Sequence, residues 1–84
     1  MFVHVRDARY IKNFTVWLSF NDGVEGTLNL KDFLKGPVFE PLHDVEVFKT
    51  LFYDPLLGTI CWPNGADFAP EFLRERVEMT NPRL

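Results

Sequence analysis

The side chains that could act as nucleophiles are one cysteine, Cys61, and one serine, Ser19. A reactive thiolate needs a cation or a helix N-terminus beside it, and the two histidines, His4 and His43, are distant from Cys61 in sequence. Ser19 alternates outward on a predicted strand and lacks the strand-turn-helix motif of a serine nucleophile. We therefore expect Cys61 to be a buried or half-buried structural residue, and we expect no catalytic residue.

Metal binding and acid–base chemistry would need ligands or carboxylates at suitable spacing. The histidines and the cysteine show no i, i+3 or i, i+4 spacing, so we expect neither a metal site nor a cofactor. Asp22, Asp54 and Asp67 lie in or near predicted turns. These carboxylates could do acid–base work, but we favour a structural interpretation in which each bonds backbone N–H groups of its turn.

The candidate interaction surface combines Trp17 with Trp62, Asn64 and Asp67. In the segment from Trp62 to Asp67, a Trp stands beside a tight turn whose amide and carboxylate could form a small binding surface. The alternative is that Trp62 anchors the core while Asn64-Gly65 supplies a left-handed turn. Trp17 alternates away from the predicted core, so either the chain's own tail covers it or a partner does.

A β-hairpin with the loop Asn21-Asp22-Gly23 is the element that positions Trp17. Apolar residues alternate along the two segments that flank this loop. A two-residue loop would oppose Phe20 to Glu25, whereas a three-residue loop opposes Phe20 to Val24 and keeps the apolar set together. We therefore predict a type I turn with Gly23 left-handed, forming a bulge. The predicted core face is Val16, Leu18, Phe20, Val24 and Leu28.

The remaining segments predict short strands and helices. A first strand spans Val3 to Ile11 and is expected to bulge near Ala8-Arg9. Single helical turns are predicted over Lys31–Leu34 and Val38–Leu42, and a helix capped by Asp44 is predicted from Val45 to about Leu51. A strand pair follows over Phe52–Asp54 and Thr59–Trp62. The last element is a helix from Pro70 to about Val77, in which Arg74 pairs with Glu78. The order indicates an α+β fold. We expect a small antiparallel or mixed sheet of about five strands, with short helices packed on one face, a C-terminal helix and a frayed tail at Thr80–Leu84.

Length, charge and cysteine content limit the function classes. The chain has 84 residues, which predicts one domain over residues 1–84. Its net charge is −3 with no basic stripe, so we expect no direct contact with nucleic acid. It has no apolar run of about 18 residues and no signal sequence, so we expect a cytoplasmic protein that does not bind membranes. A lone cysteine fits a reducing compartment.

Two stretches carry a resemblance to a known family. The first runs from Phe20-Asn21-Asp22-Gly23 through Leu28-Asn29-Leu30 to the segment Gly36–Leu42, and the second is the segment Gly58–Asp67 followed by Pro70-Glu71. Their order and spacing resemble the bacterial domain-of-unknown-function family 2442. The resemblance implies a small α+β domain, sometimes joined to a helix-turn-helix domain, and small bacterial proteins often encoded beside another small protein. It implies no catalytic residues.

Together these observations lead to two main hypotheses about function, beside a third possibility, an operator-binding regulator that works through a partner. The first is a non-enzymatic protein-interaction or regulatory module, such as the antitoxin-like or partner component of a two-gene system. It would bind a protein partner or a second copy of itself through a strand edge or through Trp17. The alternative is a small-ligand-binding or minor enzymatic domain that uses the turn from Trp62 to Asp67.

Overall fold

The computed structural model describes residues 2–80, and its helices and strands follow the α+β order expected from the sequence. The elements are β1 (Val5–Lys12), β2 (Thr15–Phe20), β3 (Glu25–Asn29), 3-10 turns at Lys31–Phe33 and Glu40–His43, α1 (Val45–Phe48), β4 (Phe52–Asp54), β5 (Thr59–Cys61) and α2 (Pro70–Thr80). The prediction of five strands with a C-terminal helix is confirmed. These strands form two antiparallel sheets, β1-β2-β3 and β4-β5. The sheets meet where the Val5 N–H donates to the Gly58 carbonyl at 2.8 Å.

The β2–β3 hairpin has the predicted three-residue loop. The Phe20 N–H donates to the Val24 carbonyl at 2.9 Å, and the Gly23 N–H donates to the Phe20 carbonyl at 3.1 Å. Gly23 is left-handed, with φ of +89°. The register therefore places one apolar set against the core, and all of its members are buried: Val16, Leu18, Phe20, Val24 and Leu28.

A second loop of the same design follows β5. The Trp62 N–H donates to the Ala66 carbonyl at 2.9 Å, and the Gly65 N–H donates to the Trp62 carbonyl at 3.0 Å. Asn64 Oδ1 accepts from the Ala66 N–H at 3.0 Å, as Asp22 Oδ1 accepts from the Val24 N–H at 3.1 Å in the first loop. The chain thus uses one loop geometry twice, with an Asx side chain followed by a left-handed Gly.

The prediction of a bulge near Ala8-Arg9 in β1 is wrong, because Ala8 pairs regularly with Leu18. The register instead shifts between Val5 and Asp7 and again between Tyr10 and Lys12. Val5 and Ala8 both lie on the core side of the sheet, where they pair with Phe20 and Leu18 of β2. The two β1 residues are three positions apart, whereas their partners are only two apart. An extra residue between them is needed to return the strand to the same face.

The helices pack on the core side of the three-stranded sheet. Asp44 caps α1 as predicted by accepting from the Glu46 N–H at 2.9 Å. The helix ends at Phe48, short of the predicted Leu51, because the next turn tightens and the Leu51 N–H donates only three residues back, to Phe48. α2 begins at Pro70 as predicted and still includes Thr80, where the frayed tail was expected to begin. The rest of that predicted tail, residues 81–84, lies outside the described residues.

Arg74 of α2 forms an ion pair that connects the C-terminal helix to the β2–β3 loop. Its Nε donates to Asp22 Oδ2 at 2.9 Å, and its Nη1 donates to Glu78 Oε2 at 2.6 Å, which confirms the predicted pairing along the helix. Burial alone would raise the pKa of Asp22. Hydrogen bonds from the Val24 N–H and from Arg74, together with the charge of Arg74, outweigh burial and hold that pKa below its usual value.

The two loop glycines provide a test of the shared geometry. A Cβ added at Gly23 or Gly65 would meet no atom within 4 Å, so backbone strain alone opposes substitution. Replacing either with Val should lower the free energy of unfolding by at least about 1–2 kcal/mol, measured by urea melts followed by circular dichroism. Gly23→Asn should lose less, because Asn tolerates the left-handed region. A wild-type melt for Gly23→Val would contradict the assigned loop.

The ion pair of Asp22 and Arg74 predicts how stability varies with acid. The pKa of Asp22 is lower in the folded chain than in the unfolded chain, where it is about 3.9. The Asp22 carboxylate therefore adds its full contribution to the free energy of unfolding above about pH 3.9, and that contribution is lost as the pH falls through the folded-state pKa. Asp22→Asn keeps an acceptor for the Val24 N–H but loses the ion pair. It should cost about 0.5–1 kcal/mol at neutral pH, and this difference should shrink in acid. Asp22→Ala should cost about 1 kcal/mol more, since it also loses the turn hydrogen bond. A constant difference between Asn variant and wild type across this range would contradict the assignment.

Candidate functional site

Trp17 lies on the face of the three-stranded sheet that points away from the core. It pairs with Arg9 of β1 and Thr27 of β3, and it is half-buried between them. The Arg9 guanidinium lies 5.6 Å from the centre of the indole ring, within cation–π distance. With Ile11 and Glu25, these two side chains line a shallow depression of about 390 Å³. We call the surface formed by Arg9, Ile11, Trp17 and Glu25 the Trp17 face.

The helices leave the Trp17 face uncovered within residues 2–80. The buried side chains of the two α-helices, Phe48 of α1 with Leu73 and Val77 of α2, all belong to the core on the opposite side of the sheet. Ile11 is 48% exposed, which is high for an aliphatic side chain on a strand. The Trp17 face is therefore an apolar surface with an acidic and a basic side chain at its edges.

Trp62 lies in the core and not at a surface. It is only 1% exposed, and its indole N–H donates to the Phe48 carbonyl at 2.7 Å. Its ring contacts those of Phe48 and Phe68, with centroids 5.5 and 5.9 Å away. Trp62 thus occupies the position expected of a core anchor. Of the two alternatives for Trp62, the buried indole agrees with the core anchor, since its ring offers almost no accessible surface to a partner.

Asn64 and Asp67 differ in what their side chains do. The Asn64 amide is used within the chain, since Oδ1 accepts from the Ala66 N–H and Nδ2 donates to the Val38 carbonyl at 2.9 Å. Asp67 is exposed, and its backbone forms an isolated antiparallel bridge with Cys61. The four candidate residues are therefore not gathered into one site, because Trp17 is on the outer face, Trp62 is in the core and Asp67 is on another surface.

That other surface is a cleft that the sequence analysis did not anticipate. Four phenylalanines and three charged side chains line a shallow cleft of about 410 Å³. Three of the rings, Phe33, Phe39 and Phe72, are half-buried, and Phe68 is 8% exposed. They come from two segments, residues 33–39 and 68–72, that are distant in sequence, so only the composition, nine Phe in 84 residues, hinted at such a cluster. We call this surface the aromatic cleft; it comprises Phe33, Phe39, Phe68 and Phe72 with Asp32, Lys35 and Asp67.

Cys61 is buried and poorly suited to nucleophilic attack. It is 5% exposed, and burial raises the pKa of its thiol, with the carboxylates of Asp54 and Asp67 acting in the same direction. The thiol lies 3.9 Å from the Thr59 carbonyl, where it makes at most a weak hydrogen bond. This position agrees with the structural interpretation of Cys61.

Of the other polar candidates, His43 and Asp54 have local partners, whereas the prediction that Asp67 bonds its turn is wrong, because its side chain makes no hydrogen bond with residues 2–80. His43 Nε2 lies 2.6 Å from the Leu34 carbonyl. Asp54 Oδ1 accepts from the Leu56 and Leu57 N–H groups at 2.9 and 3.3 Å, as expected for a turn aspartate. Among residues 2–80, no three His, Cys, Asp or Glu side chains lie close enough together to hold a metal ion. In the same residues, no helix has both the length and the apolar character needed to cross a bilayer.

The position of Cys61 predicts slow alkylation of its thiol. Iodoacetamide should react with the native chain only as fast as the core opens, because reaction needs an exposed thiolate. The rate should rise in urea to that of an unfolded thiol, as measured by mass spectrometry, with Cys61→Ser as the unlabelled control. Rapid labelling of the native chain would show that Cys61 is accessible and contradict its structural assignment.

Comparison with known proteins bears on the chain as a whole. A family model described as "Protein of unknown function (DUF2442)" matches residues 5–78, which covers nearly the whole chain. No curated protein and no solved structure matches the chain at significant similarity. The family match runs from β1 to near the end of α2 and thus confirms the resemblance seen in the sequence. The chain belongs to the DUF2442 family of proteins of unknown function.

Proposed function

We propose that this chain is a non-enzymatic protein-interaction module of the bacterial cytoplasm that binds its partner through the Trp17 face. The observation that carries the proposal is the position of Trp17, half-buried on the sheet face opposite the helices, with Arg9 stacked on it. Trp and Arg are the side chains most enriched at the energetic centres of protein interfaces. A neighbouring apolar side chain, Ile11, enlarges the surface that a partner would bury.

The charges at the edges of the Trp17 face favour a protein partner. Arg9 and Glu25 have opposite signs and flank the indole on the two outer strands. A partner that places an acidic group at Arg9 and a basic group at Glu25 would gain orientation as well as contact area. A second copy of this chain meets the same requirement, so self-association and binding to another protein are both included in the proposal.

The size of the Trp17 face predicts the strength of binding. A three-stranded sheet of about six residues per strand measures roughly 10 by 20 Å between backbone axes. A stable complex buries about 800 Å² per partner, which is more than this face alone supplies. We therefore expect a transient, reversible complex, as suits a regulatory module.

The alternative function, ligand binding or minor catalysis at the turn from Trp62 to Asp67, has less support. Its aromatic residue, Trp62, is in the core, and Asn64 bonds within the chain. Asn64 and Asp67 are both exposed, but only Asp67 of that set lines the aromatic cleft.

Trp17→Ala provides the direct test. Light scattering after size exclusion, over a range of chain concentrations, should show association that weakens in this variant, and co-purification with the product of the adjacent gene should fall likewise. The matched control is Leu56→Ala, which removes a 95% exposed apolar side chain elsewhere and should leave both measurements unchanged. Circular dichroism should report a folded variant, because Trp17 lies outside the core. A wild-type profile for Trp17→Ala in both assays would overturn the proposal.

A further inference from the structure

The aromatic cleft is a second surface, and its rings form a continuous row. Ring centroids lie 5.1 Å apart for Phe33 and Phe72, 5.7 Å for Phe72 and Phe68, and 4.9 Å for Phe68 and Phe39. Behind the row, Phe68 packs edge-on against the buried Trp62. The floor of the cleft is therefore apolar, and its rings present faces and edges without hydrogen-bonding groups.

One end of this row already carries a cation from the chain itself. The Arg76 guanidinium lies 4.8 Å from the Phe72 centroid and 5.6 Å from that of Phe33. A guanidinium is attracted to the negative face of an aromatic ring. No cation of residues 2–80 contacts the other end, formed by Phe39 and Phe68, in this way. Arg76 thus shows how a second cation could bind on the same row.

The charged wall of the cleft favours such a cation. Asp32 and Asp67 line the cleft with a single lysine, Lys35, so the wall has a net charge of −1 at neutral pH. Within residues 2–80, none of these three side chains takes part in an ion pair or hydrogen bond. By contrast, Arg74 and Arg76 each pair with a carboxylate. The two aspartates are therefore free to pair with a ligand.

We propose that the aromatic cleft binds a basic peptide segment of a partner protein, with an arginine side chain against the accessible part of the Phe39 ring and its guanidinium paired with the cleft carboxylates. Arginine fits both parts of the site, since its planar head stacks on rings and pairs with carboxylates. The carboxylates of Asp32 and Asp67, which have no ion-pair partner within residues 2–80, disfavour a phosphate group beside them. A purely apolar ligand would use the rings but would be indifferent to Asp32 and Asp67.

Peptides that differ only in charge test this proposal. The probe is a blocked hexapeptide of alternating arginine and leucine, and its matched control has the neutral isostere citrulline at each arginine. Titrated into the full ¹⁵N-labelled chain, the arginine peptide should shift amide signals in the ranges 32–39 and 66–73. The citrulline peptide should bind at least about fivefold more weakly.

Variants of the cleft complete the test. Asp32→Asn combined with Asp67→Asn preserves side-chain size and should weaken arginine-peptide binding at least about fivefold, while Phe39→Leu should weaken it without changing the charge. Trp17→Ala should leave it unchanged, because that residue lies on the other surface. Equal binding of the two peptides, equal binding by the double Asn variant, or shifts confined to residues outside these ranges would overturn the proposal. Retained amide signals elsewhere in the spectrum show that each variant is folded.

Discussion

The pairing register of β2 and β3 is the constraint on which both faces of the molecule depend. Side chains alternate along a strand, so a shift of one residue would move the core set to the surface and Trp17 into the interior. The loop prevents this shift because Gly23 is left-handed and Asp22 accepts from the Val24 N–H. Since Arg74 binds the same Asp22, the register of the hairpin and the position of α2 are fixed at one point.

Trp62 has a comparable place on the core side. It immediately precedes the second loop, and its indole N–H connects the start of that loop to the last turn of α1 through the Phe48 carbonyl. A domain of this size buries a smaller share of its surface than a large domain does, so large rings supply much of the stabilising area. The aromatic cleft is the outer end of this ring cluster, because Phe68 contacts both Trp62 and Phe39. A ligand in the cleft would therefore contact rings that continue into the core.

Local patterns were sufficient to predict much of the fold. Alternation and turn chemistry identified the first hairpin and its left-handed Gly23, and Asp44 and Pro70 marked the starts of both α-helices. The same patterns could not place the bulges of β1, because these depend on which β1 residues must share the core face with β2. They identified Trp17 as outward-facing, but they could not determine that Trp62 is buried or assemble the aromatic cleft. Burial and long-range ring contacts are set by tertiary packing, which sequence spacing does not record.

The second loop also bears on how the chain ages chemically. Asn followed by Gly is the sequence most prone to deamidation, in which the backbone nitrogen of the Gly attacks the Asn side-chain carbonyl. Here the Gly65 N–H is held by the Trp62 carbonyl and the Asn64 amide by Ala66 and Val38, so the folded loop opposes that attack. Aspartate at position 64 would reproduce the Asp-Gly pair of the first loop, whereas isoaspartate, the main product when the succinimide intermediate opens, would lengthen the backbone of the turn. The loss would be the bond to Val38, and the gain a further negative charge three residues before Asp67.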